Sequence, residues 1–226
     1  MIGSVLVEHV DPLAGEHRDR IRNSVVHAAP VLAKLRNLAV AELRAATDVL
    51  TGLPNNRALQ GHAKRMFAHA SRTSTSLGVA ILDLDHFKQI NDNYGHGKGD
   101  EVLAAVGAAL QATVSESDIV GRWGGEEFMI LLADVDRAGA KGAAEKIREA
   151  VAKLKIVGVE RAITASIGVA AMPDDGADIT TLTRNADRAL YAAKAGGRNR
   201  VESFTHESGN GVPPQRPTVP DTSPTR

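Results

Sequence analysis

Two adjacent glycines followed by two carboxylates form the segment of this sequence best suited to chemistry. Residues 124–128 read Gly-Gly-Glu-Glu-Phe and lie between the strand-like runs 119–120 and 128–132. A Gly-Gly pair between two strands is typical of a hairpin whose reversal needs a positive φ and little side-chain bulk. Glu126 and Glu127 at such a turn suggest a metal site, although a hairpin with solvated glutamates also explains the segment by itself.

A second acidic segment lies upstream, at the end of an apolar run. Residues 79–82 are apolar, and Asp83 and Asp85 follow with one residue between them. Alternation along a strand places both acidic side chains on one face, at the carboxyl end of the strand. If this strand pairs beside the hairpin, Asp83 and Glu126 can share one hard cation, as Mg²⁺ is held with substrate phosphates. The alternative is a strand end whose acids lie in solvent.

Composition indicates a soluble protein with one main domain. The 226 residues are 43% hydrophobic and 24% charged, and the formal net charge is zero. A neutral chain has no overall field that favours nucleic acid or an anionic membrane, so an anionic ligand needs a local site. The absence of cysteine excludes disulfides and thiolate chemistry and is compatible with the cytoplasm. Neither a membrane span nor a secretion signal is predicted.

Residues 1–47 form a predicted helical segment. Its apolar stripe recurs at spacings of four and three residues, at Ile21, Val25, Ala28, Leu32, Leu35 and Ala39. This period predicts a dimerising or signalling helix, and an amphipathic helix packed on its own domain is the alternative. Pro30 interrupts the pattern and predicts two helical pieces or a kink, with the second piece beginning near residue 30.

Residues 48–205 form the predicted main domain, of the α+β class. Helices are predicted near 56–72, 87–93, 99–114, 137–154 and 179–195, and strands at 77–83, in the hairpin, near 156, and at 163–171 and 201–204. This mixture favours a central, mainly antiparallel sheet flanked by helices. Residues 206–226 hold five of the nine prolines and are predicted to form a disordered tail.

Six motifs, in order, resemble the GGDEF family of diguanylate cyclases in its GGEEF form. They are residues 48–55 (DVLTGLPN), 83–92 (DLDHFKQIND), 95–100 (GHGKGD), the 124–128 hairpin, 166–169 (SIGV) and 192–199 (AAKAGGRN). The resemblance implies a fold similar to the palm of polymerases and class III nucleotide cyclases. It also implies a reaction in which two GTP molecules condense to cyclic di-GMP with release of pyrophosphate.

The family pattern assigns the chemistry to carboxylates and divalent cations. By this resemblance Asp83 and Glu126 bind metal through their side chains and Leu84 through its backbone carbonyl, with Mg²⁺ or Mn²⁺ as cofactor. Glu126 is also a candidate to help deprotonate the attacking 3′-hydroxyl. Glu127 would assist ligation or orientation, or is a solvated turn acid. Arg122, just before the hairpin, is expected to brace the carboxylates.

Asn91 and Asp100 match the guanine-reading positions of the family, and Phe87 is placed with them in the substrate site. A carboxylate can accept from the N1–H and N2–H₂ donors of guanine, and an amide can serve the remaining edge. The resemblance therefore predicts selection of GTP over ATP. In isolation, Asn91 also fits the C-terminal end of a helix and Asp100 a helix N-cap.

Three cations are predicted to bind the triphosphate. Lys88, Lys194 and Arg198 match the family pattern, and backbone N–H groups of residues 85–88 would support them at the start of a short helix. The alternative for Lys194 and Arg198 is helix capping, because the glycines at 196–197 end a helix whose dipole favours cations there.

The inhibitory product site of the family is degenerate in this sequence. Many members carry Arg-x-x-Asp upstream of the hairpin, whereas Ser115 and Asp118 stand at the two ends of the motif here. Serine lacks the bidentate contact that arginine makes with phosphate or guanine. The resemblance therefore predicts an allosteric product site that binds weakly or not at all.

The resemblance also implies partners. One such domain holds one GTP, so turnover requires a homodimer with two-fold symmetry. An upstream sensor protein is a further candidate partner, whereas no nucleic acid partner is predicted. The alternative function is a catalytically silent domain that binds GTP or another protein.

Overall fold

The computed structural model describes residues 15–205, with side chains except at 38–45. The predicted tail at 206–226 lies outside the described residues. The chain divides into two compact units between Thr47 and Asp48. Within residues 15–205, no helix combines the length and the apolar character needed to cross a bilayer.

The first unit contains one long helix, α1, Gly15–Ala46. Pro30 lies inside it, so the chain does not form two separate helical pieces, and a kink at Pro30 stays a prediction. A proline removes one hydrogen bond and crowds one carbonyl, at a cost of about 3 kcal/mol, and the other turns of the helix continue on both sides. Four members of the apolar stripe are exposed, namely Val25 at 38%, Ala28, Leu32 at 58% and Leu35 at 56%. The stripe is therefore an apolar surface of α1.

The second unit is built on a five-stranded sheet with the order β2-β3-β1-β4-β5. The strands are β1 Leu77–Leu84, β2 Ile119–Arg122, β3 Glu127–Ala133, β4 Ala165–Met172 and β5 Val201–Ser203. β4 and β5 pair in parallel, and the other three neighbouring pairs are antiparallel. The predicted α+β fold with a mainly antiparallel sheet is confirmed.

Helices cover both faces of this sheet. They are α2 Asn56–Thr73, α3 Phe87–Tyr94, α4 His96–Thr113, α5 Arg137–Ala152 and α6 Ile179–Ala195. Ile81 and Val79 of β1 pack against α2 and α6, whereas Leu82 and Ala80 pack against α4 and α5. Asp83 continues the alternation of Ile81, so its side chain lies on the face covered by α2 and α6.

Gly168 allows α6 to lie directly on β4. A Cβ at this position would lie 2.0 Å from the backbone nitrogen of Leu190 and 2.2 Å from the carbonyl oxygen of Ala186. Any larger residue would push the helix away from the sheet. This close approach brings Lys194, in the last turn of α6, to Asp83 at the end of β1.

The predicted strand near residue 156 is wrong. Ile156 makes an isolated bridge to Val159 and joins no named strand of the described chain. Gly158 has a φ of +81°, and Val157 is 89% exposed. The segment therefore turns back on itself instead of extending along the sheet.

Candidate active site

The β2–β3 hairpin places Glu126 and Glu127 beside the end of β1. Antiparallel pairing sets Asp83 opposite Glu127, and the Leu84 N–H donates to the Glu126 carbonyl at 3.3 Å. Asp83 is buried, and the two glutamates are half-buried. The structure thus brings the two acidic segments of the sequence together where β1 ends and β3 begins.

The glycines of the hairpin turn provide space for a carboxylate. Gly124 and Gly125 do not have positive φ, so that expectation is wrong. A Cβ on Gly124 would lie 2.9 Å from Glu127 Oε2, whereas a Cβ on Gly125 would meet nothing within 4 Å. The N–H groups of Trp123 and Gly124 both donate to the Glu127 carbonyl, at 2.8 and 3.2 Å, and close the turn.

The Arg122 side chain braces the hairpin by binding the backbone carbonyls of its turn. The Nε group donates to the carbonyls of Gly124 and Gly125 at 3.2 Å each, and Nη1 donates to both carboxylate oxygens of Asp48 at 3.1 Å. Arg122 therefore holds the turn that carries the acids. Sequence reasoning gave Asp48 no role, and its place in the first family motif was the available signal.

A lysine ammonium lies against the buried aspartate. Lys194 Nζ is 2.8 Å from Asp83 Oδ2. The sequence suggested a phosphate contact or a helix cap for Lys194, and neither interpretation included this ion pair. The contact results from the close packing of α6 on β4, which local sequence does not report.

Burial and neighbouring charges raise the pKa of Glu126. Burial is the largest cause, and the Asp83 carboxylate raises the pKa further. The Lys194 ammonium opposes the increase, and the Glu127 carboxylate adds a smaller increase. The carboxyl of Glu126 is thus held in surroundings that disfavour its charge, which is common for groups that exchange protons or bind cations.

The contribution of Glu126 to the stability of the metal-free protein is expected to fall as pH rises through its pKa. A carboxyl whose folded pKa exceeds its ordinary value of 4.5 stabilises the fold while protonated and loses that contribution on ionising. The free energy of unfolding of wild type minus that of Glu126→Gln should therefore decrease from pH 4.5 upward. Urea unfolding in chelator at several pH values measures this difference, and identical pH dependence of the two proteins would contradict it.

The donor set at the two carboxylates fits a hard divalent cation. Asp83 and Glu126 supply the carboxylate oxygens that Mg²⁺ and Mn²⁺ prefer, and a cation would offset the Asp83 charge that helps to raise the Glu126 pKa. Among the side chains that the structure describes, no group of three or more His, Cys, Asp or Glu residues is arranged to hold a metal. The Leu84 carbonyl and substrate oxygens would have to complete the coordination.

Asn91 and Asp100 lie on the neighbouring helices α3 and α4. A Cβ on Gly99 would lie 1.9 Å from Asn91 Oδ1 and 3.2 Å from Phe87 Cζ. The Asn91 amide therefore occupies space that any side chain at position 99 would fill. Phe87 is buried, Asn91 half-buried and Asp100 exposed. Because α4 begins at His96, earlier than predicted, Asp100 lies within the helix and is not its N-cap.

The predicted phosphate ligands Lys88 and Arg198 are exposed. Lys88 lies in the first turn of α3, and Arg198 follows the end of α6. Of the backbone N–H groups at 85–88, that of Asp85 donates to the Thr164 carbonyl at 2.8 Å. That group is therefore not available to an anion, and the expected amide site is limited to residues 86–88.

The Asp85 carboxylate is engaged by protein donors. It accepts hydrogen bonds from Ser166 Oγ at 2.7 Å, Thr164 Oγ1 at 2.8 Å and the Asn199 N–H at 3.0 Å. None of these contacts was predicted, because a hydroxyl in a strand carries no signal for a carboxylate distant in sequence. Asp85 thus connects the start of β4, the end of β1 and the turn after α6.

The Asp118 carboxylate is bound by backbone donors. Oδ2 accepts from the Ser115 N–H and Oδ1 from the Ala133 N–H, both at 3.0 Å. The remaining aspartate of the degenerate product motif therefore ties the loop before β2 to the end of β3.

Similarity to known proteins extends over most of the chain. Residues 45–200 match the family described as Diguanylate cyclase, GGDEF domain. Diguanylate cyclase DosC of Escherichia coli (strain K12) is 44% identical over 186 residues, which cover 81% of this chain and 40% of DosC. The chain therefore spans less than half the length of this relative.

Two solved structures show the same architecture. The coiled coil and GGDEF domain of DgcB from Caulobacter crescentus, in complex with c-di-GMP, has a TM-score of 0.73 and 31% identity over 81% of this chain and 98% of that chain. The active GGEEF domain of a diguanylate cyclase from Vibrio cholerae has a TM-score of 0.64 and 37% identity over 67% of this chain and 97% of that one. Motifs, fold and family match agree, and the chain belongs to the GGDEF family of diguanylate cyclase domains.

Proposed function

We propose that this chain is a cytoplasmic diguanylate cyclase that condenses two GTP molecules to cyclic di-GMP and releases pyrophosphate. The observation that carries the proposal is the placement of Glu126, with its raised pKa, beside Asp83 and Lys194 at the end of β1. Asn91 lies against Gly99 of α4, the residue before Asp100, and this proximity supports guanine as the base. The names of the relatives support the same reaction.

Glu126 is suited to accept the proton of the attacking 3′-hydroxyl. A carboxylate with a raised pKa is a stronger base than an ordinary glutamate, so it removes a proton more readily near neutral pH. Mg²⁺ or Mn²⁺ held by Asp83, the Leu84 carbonyl and Glu126 would lower the proton affinity of the hydroxyl and neutralise phosphate charge. Glu127, which packs against Gly124, would hold the turn in position.

The triphosphate would be bound by Lys88, Lys194 and Arg198. Lys194 Nζ lies 2.8 Å from Asp83 Oδ2, so substrate phosphates compete with Asp83 for the ammonium group. Metal ions compete with Lys194 for Asp83 in the same way. Substrate and cation binding are therefore expected to support each other.

The function is tested by incubating the purified protein with GTP and Mg²⁺ and identifying the products by mass. Cyclic di-GMP together with pyrophosphate would support the cyclase. The alternative is a catalytically silent domain that binds GTP or another protein. A dimeric preparation that binds GTP and yields no product would favour that alternative.

Turnover is expected to require a homodimer. In the proposed reaction one domain holds one GTP, so two GTP molecules must meet across two copies. The apolar stripe of α1 is exposed and has the period of a coiled-coil seam. Removing residues 1–45 should lower the rate of cyclic di-GMP formation at dilute enzyme more than at concentrated enzyme. Unchanged activity of the truncated protein at dilute enzyme would exclude α1 from dimerisation.

Product inhibition through Asp118 is expected to be weak. Ser115 lacks the bidentate group of arginine, and both Asp118 oxygens accept from backbone N–H groups. Micromolar cyclic di-GMP should leave the initial rate nearly unchanged in the wild type and in Asp118→Asn. Strong inhibition that the Asp118→Asn substitution removes would show that this site still binds product.

A further inference from the structure

Three consecutive residues after α6 have positive φ. The angles are +112° at Gly197, +63° at Arg198 and +45° at Asn199. Glycine adopts this region freely, whereas two successive non-glycine residues there are strained. Such a turn persists only where surrounding contacts hold it, and strained backbone is often found at functional sites.

Backbone and side-chain hydrogen bonds hold this turn on both sides. The Arg198 N–H donates to the Ala193 carbonyl at 3.0 Å, which ties the turn to α6. The Asn199 N–H donates to Asp85 Oδ2 at 3.0 Å, which ties it to the end of β1. Arg148 Nη1 donates to Asn199 Oδ1 at 2.9 Å from α5.

Asp85 is the buried residue among those that hold the turn after α6. It is 5% exposed, and its two oxygens accept the Ser166 and Thr164 hydroxyls in addition to the Asn199 N–H. A buried carboxylate with three donors is fully satisfied and fixed in place. The proposed reaction gives it no step.

We propose that Asp85 is a positioning residue for triphosphate binding. By anchoring the Asn199 N–H, its carboxylate fixes the turn that carries Arg198. This turn directly follows the helix whose Lys194 pairs with Asp83, so its position sets the place of both cations. The inference rests on the proposed function, in which these cations bind the triphosphate. Asp85 touches neither substrate nor metal in this scheme and acts through the turn.

The hydrogen-bond pattern predicts different outcomes for two substitutions. In Asp85→Asn, an amide NH₂ turned toward Ser166 can donate to its hydroxyl, and the remaining oxygen can still accept from Thr164 and from the Asn199 N–H. In Asp85→Ala all three contacts are lost, and the Asn199 N–H loses its acceptor. Asparagine should therefore keep the turn after α6 in position, whereas alanine should release it.

Asp175 provides a matched control. It is 1% exposed, accepts the Ala171 N–H at 2.9 Å and pairs with Arg137, and it lies at the opposite end of β4. Asp175→Ala therefore removes a buried, hydrogen-bonded carboxylate from the turn that follows β4 and does not touch the turn after α6.

The experiment compares binding of α,β-methylene GTP with binding of GMP by calorimetry in Mg²⁺. Asp85→Ala should weaken binding of the triphosphate analogue on the order of tenfold or more and leave GMP binding unchanged, because the released turn would no longer hold Arg198 in its charge-assisted contact with the phosphates. Asp85→Asn should bind both ligands like the wild type, and Asp175→Ala should show no selective loss. If Asp85→Ala does not fold, Asp85→Ser takes its place, because serine is too short to reach the Asn199 N–H. This variant should show the same selective loss of binding of the triphosphate analogue.

Several outcomes would overturn the proposal. Equal weakening of the analogue and of GMP, an unchanged affinity for the analogue, or the same selective loss in Asp175→Ala would each show that Asp85 has no specific role toward the triphosphate. Failure of the proposed function is distinguishable. In that case the wild type would bind the analogue but form no cyclic di-GMP from GTP, and the binding comparison would still decide the role of Asp85.

Discussion

Glutamine in place of Glu126 is expected to lower kcat for cyclic di-GMP formation by roughly 10³-fold, within the range attributed to a positioned general base. Glutamine keeps the size of the side chain but cannot accept the hydroxyl proton. It is also a weaker ligand for a hard cation than a carboxylate. The expected result is a protein that binds GTP and releases almost no product.

The fold should survive this substitution. Burial and the Asp83 charge raise the pKa of Glu126, so a neutral side chain fits these surroundings at least as well as an ionised one. A loss of activity together with unchanged or increased stability therefore assigns the effect to chemistry. Steady-state rates and urea unfolding of the same preparation measure both quantities.

Two further glutamates serve as controls for this result. Glu116→Gln changes an exposed acid in the loop before β2 and should leave kcat unchanged. Glu127→Gln should lower kcat less than Glu126→Gln does, because Glu127 packs against the turn at Gly124 and takes no proton in the proposed reaction. A Glu126→Gln protein with near wild-type kcat would remove Glu126 from the chemistry.

Alanine at Gly99 is expected to raise KM for GTP on the order of tenfold or more and to reduce the preference for GTP over ATP. The new Cβ would lie 1.9 Å from Asn91 Oδ1, a distance that no packed atoms tolerate, so the amide must move away. Phe87 beneath it, at 3.2 Å, limits how α3 can adjust. Asn91 would then no longer face guanine together with Asp100.

Gly97→Ala is the matched control for this prediction. Gly97 lies in the first turn of the same helix, and a Cβ there meets nothing within 4 Å. Alanine favours a helix over glycine by about 1 kcal/mol at either position, so helix propensity cannot separate the two variants. Rates with GTP and ATP for both variants measure the effect. Equal kinetics for Gly99→Ala and Gly97→Ala would show that the position of Asn91 does not matter.

The sequence alone determined most of the helices and strands of residues 48–205 and which residues could carry chemistry. The apolar run before Asp83 predicted a buried strand, and the Gly-Gly pair predicted the hairpin with Glu126 at its turn. The motifs from residue 48 to 199 identified the family by their order and spacing. These features depend on neighbours in sequence, because strand alternation, helix period and turn chemistry act over a few residues.

Only the tertiary structure decided how these residues meet. Arg122 holds the carbonyls of the hairpin turn, Lys194 pairs with Asp83, and Asp85 anchors the N–H of a residue 114 positions later. Gly124 provides space for a carboxylate although its φ is ordinary. Local patterns give the face on which a side chain lies, but strand order and helix packing choose its partner. Charge and burial, and with them the raised pKa of Glu126, follow from those partners.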